Sequence, residues 1–75
     1  MKIVNRKQLE LIRQLYTAGK RIRLIYINDQ SARLKKGELG TIRKVDDIGQ
    51  IHVNWDCGST IALHYKEDDF EFVNK

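Results

Sequence analysis

The run "QIHVNWD" at residues 50–56 alternates strictly between apolar and polar side chains. Ile51, Val53 and Trp55 share one face, whereas His52 and its polar neighbours share the other. Because successive side chains of a strand point to opposite faces, this run predicts a β-strand with one buried face. A chain of only 75 residues has to cover that face with other short elements of the same domain.

The single cysteine, Cys57, excludes an intramolecular disulfide framework, so a compact apolar core has to stabilise the fold. The small size also argues against a deep, walled active site. No apolar run approaches the roughly 18 residues of a membrane-spanning helix, and the N-terminus lacks the apolar region of a signal peptide. We expect a cytoplasmic protein that does not associate with membranes.

A helix is predicted over roughly residues 6–18. Asn5 is a candidate N-cap with Gln8 three residues later, and Gly19 is a candidate C-terminal stop. The apolar residues of the helix fall on one face: Leu9, Ile12, Leu15 and Tyr16. We expect this extension, residues 1–19, either to cap the rest of the domain or to form a dimer contact, so the protein is a monomer or a helix-mediated dimer.

Residues 20–75 are predicted to form five short strands. "KRIRLIYI" alternates with Ile22, Leu24 and Tyr26 on the buried face, and "LGTIRKV", "TIALHY" and "FEFV" provide further strands beside "QIHVNWD". Matching apolar faces predicts a hairpin in which Trp55 lies opposite Ile61. We therefore predict a mainly β fold, a small SH3-like five-stranded barrel with an N-terminal α-helix, whose closure removes exposed sheet edges.

Three segments carry a family resemblance: "RIRLIYIND", "KGELGTIRKVDDIGQIHVNWDCGST" and "EDDFEFV". Together they resemble a domain-of-unknown-function family of small SH3-like barrel proteins from bacterial mobile elements and phages. The resemblance covers residues 19–73 and leaves the helix outside it. Lys36 stands where the family has proline, which makes the loop more basic. The resemblance implies a barrel and a mobile-element context, and it transfers no catalytic residue.

Charge is unevenly distributed along the chain. Residues 1–44 contain twelve Lys and Arg against three acidic residues, whereas residues 45–75 contain two Lys against seven acidic residues. Such a split is typical of a nucleic-acid footprint or of an adhesive dipole. The alternative is that strands from the two halves interleave and that their charges cancel on folding.

The candidate binding residues are the basic side chains of the first strand, the long loop and the second strand. They are Arg21, Arg23, Arg33, Lys35, Lys36, Arg43 and Lys44. If they share one face, they form a patch that attracts phosphate groups. The alternative interpretation is an ordinary solvated surface.

The remaining polar residues are better explained by turns than by catalysis or metal binding. Asp46, Asp47 and Asp56 fall where short acidic side chains bond their own backbone. His52 and His64 are predicted to face each other, but a structural zinc site needs four ligands, and Cys57 at the hairpin tip is too distant to join them. We therefore expect no enzyme activity, no metal and no cofactor.

The predicted function is non-enzymatic binding in a phage or mobile element. The first hypothesis is a nucleic-acid or nucleoprotein ligand held by the basic loop face. The alternative is a protein–protein module that inhibits a host defence complex, in the manner of an anti-CRISPR or other anti-defence protein.

Overall fold

The computed structural model describes residues 5–28 and 34–73. One helix, α1 (Arg6–Leu15), precedes five strands: β1 (Arg21–Tyr26), β2 (Leu39–Val45), β3 (Gln50–Trp55), β4 (Leu63–His64) and β5 (Asp69–Phe72). The strands form one antiparallel sheet in the order β4-β3-β2-β1-β5. The predicted mainly β fold with an N-terminal helix is confirmed.

The sheet is open, because β4 and β5 form its edges and no backbone ladder joins them in the described residues. The side chain of Asp68, directly before β5, connects two of the segments around this opening. The Asp68 carboxylate accepts hydrogen bonds from the backbone N–H of Asn28, just after β1, and from that of His64 in β4, both at 2.8 Å. The expected closure by strand pairing is therefore absent, and a carboxylate connects β4 to the end of β1 instead.

The helix begins as the sequence predicts and ends earlier. The Asn5 side chain accepts a hydrogen bond from the backbone N–H of Gln8 at 2.8 Å, which caps the first turn. At the other end Tyr16 is the C-cap, and its ring packs on those of Phe70 and Phe72 of β5. Gly19, at φ +95°, belongs to the turn into β1. No helix in the described part of the chain is long and apolar enough to cross a bilayer.

The core lies between α1 and one face of the sheet. The buried apolar residues are Ile12, Ile22, Leu24, Leu34, Ile42, Ile51, Val53, Trp55 and Leu63. The predicted inward face of β3 is thus confirmed, with Trp55 only 3% exposed. Gly40 has to lack a side chain here, because a Cβ would lie 2.6 Å from Val53 Cγ1 and 2.8 Å from Trp55 Cε3.

Two irregularities change which side chains face outward, that is, away from this core. In β1 the register with β5 shifts between Leu24 and Tyr26, so Tyr26 is 55% exposed and its predicted inward position is wrong. In β2 the register with β3 shifts between Ile42 and Lys44. Each irregularity inserts one unpaired residue into a strand and leaves two consecutive residues on the outer side.

The hairpin between β3 and β4 does not have the predicted register. Ile51 pairs with Leu63, and His64 pairs with Gln50 rather than with His52. The pairing is displaced by two residues, which preserves the inward face of Leu63 because side chains alternate with a period of two. The strand predicted over residues 60–65 shortens to two residues.

Hydrogen bonds of Trp55 explain the displacement. Its indole N–H donates to the Ile61 carbonyl at 2.9 Å, and its backbone N–H donates to the Ser59 carbonyl at 3.3 Å. The second bond and a bond from the backbone N–H of Gly58 to the Trp55 carbonyl at 2.9 Å close a tight turn that places Trp55 opposite Ser59, in the same register as Ile51 opposite Leu63, while the carbonyl of Ile61 is taken up by the indole. Strand pairing therefore resumes only at Leu63.

Candidate nucleic-acid interface

The structure places six of the seven predicted basic residues. Arg21 and Arg23 lie on β1, Lys35 and Lys36 in the turn before β2, and Arg43 and Lys44 near the end of β2. Arg33 lies outside the described residues. The six are distributed along two adjacent strands and do not form one compact cluster.

Arg21 is held in an ion pair. Its two terminal nitrogens donate to the two carboxylate oxygens of Asp56 at 2.8 and 2.6 Å, and one of them also donates to Thr41 Oγ1 at 2.9 Å. The hydrogen bond with Asp56 raises the pKa of Arg21, and the guanidinium in turn lowers the pKa of Asp56. A bidentate pair of this kind fixes the orientation of the guanidinium.

Arg23 is also paired. It lies opposite Glu71 of β5 in the ladder, and its guanidinium donates to the Glu71 carboxylate at 2.8 Å. Both side chains are about half exposed. On β1, then, charges from the basic and acidic halves of the sequence cancel on folding.

Arg43 and Lys44 differ from the two arginines of β1 in their surroundings. Ile42 faces the core and Lys44 pairs with the outward-facing His52, so the unpaired residue between them, Arg43, also points outward. Both side chains are exposed, and neither forms an ion pair or side-chain hydrogen bond with a described residue. The irregularity in β2 therefore presents two adjacent uncompensated cations to solvent.

Lys35 and Lys36 are exposed in a turn that is fixed to the body of the domain. Leu34 before them is 7% exposed, and the backbone N–H of Gly37 donates to the Leu24 carbonyl at 2.7 Å. Gly37 has φ +95°, a conformation that glycine adopts without steric cost. The turn thus holds both lysines beside the start of β2.

We refer to Lys35, Lys36, Arg43 and Lys44 as the β2 cations. At about 3.3 Å per residue, the pair before β2 and the pair near its end are roughly 20 Å apart. Because duplex nucleic acid carries phosphates at a spacing far shorter than this separation, the two pairs would contact different phosphates of one molecule. An extended polyanion is the kind of ligand that reaches both pairs at once.

Asp46, the acidic residue directly after β2, is engaged within its own turn. Asp46 accepts hydrogen bonds from the backbone N–H of Ile48 and Gln50 at 3.1 and 2.9 Å and from His52 Nε2 at 2.8 Å. Burial raises the pKa of Asp46, but these hydrogen bonds outweigh burial and leave that pKa below its ordinary value. The carboxylate therefore stays ionised and bound to its turn.

The predicted pair of facing histidines does not exist. His64 is buried, and its Nδ1 accepts hydrogen bonds from the backbone N–H of Lys66 and Glu67 at 3.2 and 3.3 Å. Cys57 is exposed in the loop after β3. No group of three or more His, Cys, Asp or Glu side chains that could hold a metal ion occurs among the described residues.

Sequence patterns did not reveal two features of these surfaces. The partners that neutralise β1, Asp56 and Glu71, come from distant parts of the chain, and only the cross-strand register brings them to Arg21 and Arg23. The outward position of both Arg43 and Lys44 also has no local sequence signal, since simple alternation would bury one of them.

Comparison with known proteins gives one match. The sequence profile of a domain of unknown function, DUF4314, matches residues 5–73. The match includes α1, so the helix is part of the family's domain and not an addition to it. No curated protein and no solved structure gave a significant match to this chain.

Proposed function

We propose that this chain, which belongs to the DUF4314 family, is a non-enzymatic module that binds the phosphate backbone of nucleic acid, free or within a nucleoprotein complex. The β2 cations are the proposed contacts, together with Arg33 of the preceding loop. The observation that carries the proposal is that Arg43 and Lys44 both point outward, are exposed and form no ion pair within the part of the chain that the structure describes. Cations of this kind gain affinity for a polyanion by releasing its condensed counterions.

Arg21 and Arg23 have a smaller part in the proposed interface than the sequence suggested. Their charges are balanced by Asp56 and Glu71. A phosphate approaching β1 meets ion pairs whose net charge is close to zero. The strength of the proposed contact therefore comes from β2 and from the turn before it.

The proposed contacts do not predict a preference for any base sequence. Phosphate contacts position a protein on nucleic acid, whereas base edges are read by side chains that enter a groove. The only helix of the described residues, α1, packs Ile12 into the core. We therefore propose binding that depends on charge and not on sequence.

The proposed setting is the cytoplasm of a bacterium, where the protein would act for a phage or another mobile element. This setting and the SH3-like assignment rest on the resemblance of residues 19–73 described above. The protein would then meet its nucleic acid directly, without crossing a membrane.

Binding to duplex and single-stranded oligonucleotides at several salt concentrations tests the proposal. Contacts by all four β2 cations give a slope of log affinity against log salt of about −3.6 on duplex and about −2.8 on single strands. The double variant Arg43→Ser/Lys44→Ser should flatten these slopes by about 1.8 and 1.4.

The matched control is Arg6→Ser/Lys7→Ser, which removes the same two charge types from exposed positions at the start of α1. It should leave the slope unchanged. Equal slopes for the wild type and the β2 variant would overturn the proposed contacts. Absence of any salt-dependent binding would overturn nucleic-acid binding altogether and would favour inhibition of a host defence complex through protein contacts.

A further inference from the structure

Two consecutive side chains, Ile25 and Tyr26, are exposed at the end of β1, on the outer face of the sheet. Ile25 is 38% exposed and Tyr26 is 55% exposed. In the ladder with β5, Tyr26 pairs with Asp69. Asp69 lies two residues before the outward-facing Glu71, so its partner Tyr26 also points away from the core. The irregularity in β1 thus places an aromatic ring on a surface that is otherwise polar and charged.

Hydrogen bonds restrain the Tyr26 ring. Its hydroxyl donates to Asn28 Oδ1 at 3.2 Å, and the backbone N–H of Asn28 donates to the Asp68 carboxylate at 2.8 Å. Asn28 is thereby fixed to the turn before β5, and the ring that bonds it is held with it. A tyrosine has few side-chain torsions, so it offers a flat contact surface at a low cost in conformational entropy.

The turn that carries Lys35 and Lys36 runs beside this part of β1. The backbone N–H of Leu24 donates to the Glu38 carbonyl at 2.8 Å, and that of Gly37 donates to the Leu24 carbonyl at 2.7 Å. Antiparallel segments leave such a pair in opposite directions, so the residues after Leu24 lie alongside those before Gly37. Both lysines are exposed, and neither forms an ion pair within residues 5–28 and 34–73. The ring and two ammonium groups therefore share one end of β1.

Charge differs between the two sides of this end of β1. On the β5 side, Asp69 is exposed, and it pairs with no cation of the described residues. On the β2 side lie the two lysines, with the half-buried Glu38 after them. A phosphate is repelled by Asp69 and attracted to Lys35 and Lys36. A bound strand would therefore place its phosphates toward β2, with Tyr26 beside them for the bases.

We propose that the nucleic acid bound here is single-stranded and that one of its unpaired bases stacks on Tyr26, an inference that rests on the phosphate binding proposed above. In a duplex the faces of each base are covered by the neighbouring bases of the stack. In a single strand the bases stack on aromatic side chains while the phosphates follow a positively charged surface. Tyr26 and the adjacent lysines supply these two kinds of contact side by side.

A base suits this surface better than a protein partner does. A stable protein interface buries about 800 Å² on each partner, far more than the two exposed side chains Ile25 and Tyr26 provide. A single base needs only one ring face. Every base has such a face, so stacking on Tyr26 requires no base-sequence preference and agrees with the charge-dependent binding proposed above.

Three ligands separate base stacking from phosphate contact. They are an oligothymidylate of about 12 nucleotides, an abasic strand with the same number of phosphates, and a duplex of the same length. Each is titrated with the protein at one low salt concentration, and Kd is measured by fluorescence anisotropy. The wild type should bind the oligothymidylate about fivefold more tightly than the abasic strand, or better, as expected for one stacked base.

Variants of Tyr26 make the result specific. Tyr26→Ser should bind the oligothymidylate no more tightly than the abasic strand, with unchanged affinity for the abasic strand and the duplex. Its slope of log affinity against log salt should also be unchanged, because no phosphate contact is lost. Tyr26→Phe keeps the ring and should keep the preference. The matched control is Leu11→Ser, which removes an equally exposed apolar side chain from α1 and should leave all three affinities unchanged.

Equal wild-type affinities for the oligothymidylate and the abasic strand, with salt-dependent binding of both, would overturn the stacking and leave the proposed phosphate binding intact. A loss of affinity for all three ligands in Tyr26→Ser would give the ring a structural role and would also overturn the stacking. Absence of salt-dependent binding to every ligand would overturn both proposals.

Discussion

The basic residues of the neighbouring strands β1 and β2 differ in whether acidic residues pair with them. On β1, Arg21 and Arg23 are bound by Asp56 and Glu71, whereas on β2, Arg43 and the next residue are exposed and pair with no carboxylate of residues 5–28 and 34–73. All of them point away from the same core. The difference shows that the number of basic residues in a segment says little about its charge after folding. What matters is which acidic residues the sheet places opposite them.

Removal of Trp55 should destabilise both strands at once, because both pack on the core that it helps to fill. Trp55→Ala should lower the free energy of unfolding by about 3–5 kcal/mol, the usual cost of deleting a buried large aromatic side chain. Chemical denaturation measures this directly. A variant that is barely destabilised would contradict the buried position of the indole ring.

A methyl group at Gly40 should disturb the junction between β1, β2 and β3. Gly40→Ala places a Cβ against Val53 and Trp55, and overpacking of this kind costs about 1–3 kcal/mol. Denaturation of Gly40→Ala, Val53→Ala and the double variant forms a double-mutant cycle. The two changes should be less destabilising together than their sum, because a smaller residue 53 makes room for the methyl group. Strictly additive effects would show that the two side chains do not meet.

Salt dependence sharpens the contrast between the strands. Replacing Arg33, Lys35 and Lys36 with Ser should flatten the slope of log affinity against log salt by about two to three units. The double variant Arg21→Gln/Asp56→Asn removes the cation of Arg21 together with its anionic partner. It should leave the slope of log affinity against log salt unchanged. A marked flattening by this second variant would mean that the β1 ion pair opens to meet phosphate.

The smallest expected effect concerns acid stability beside β2. The pKa of Asp46 is lowered in the folded protein, so the unfolded state binds a proton more readily than the folded state does. The stabilisation by Asp46 is complete above the ordinary pKa of an aspartate, about 3.9, and is lost as pH falls below that value.

Unfolding free energies measured across the acid range should therefore fall less steeply for Asp46→Asn than for the wild type. Asp47→Asn is the matched control, since Asp47 is exposed and bonds Arg13 instead of its own turn. If the free energies of unfolding of Asp46→Asn and the wild type fell equally steeply with decreasing pH, this would contradict the role given to the Asp46 hydrogen bonds.

Features that depend on residues close together in the chain could be predicted from the sequence. The alternation of residues 50–56 fixed β3 and its buried face, because the period of a strand is a local property of the backbone. Asn5 fixed the start of α1 through a hydrogen bond to Gln8, only three residues away. The basic residues proposed for the candidate site could be named from the sequence, since cations are recognisable by type.

The grouping of those basic residues depends instead on the three-dimensional fold. The unpaired residue Arg43 in β2 and the pairing of Arg21 with Asp56 depend on hydrogen bonds between different strands or their ends. The two-residue displacement of β4 follows the turn that the backbone N–H of Trp55 closes with the Ser59 carbonyl. Local periodicity gives a register only up to shifts of two residues, because such shifts leave every side chain on the same face. The contact of Tyr16 with Phe70 and Phe72 likewise forms only because the fold brings β5 beside the C-terminal end of α1.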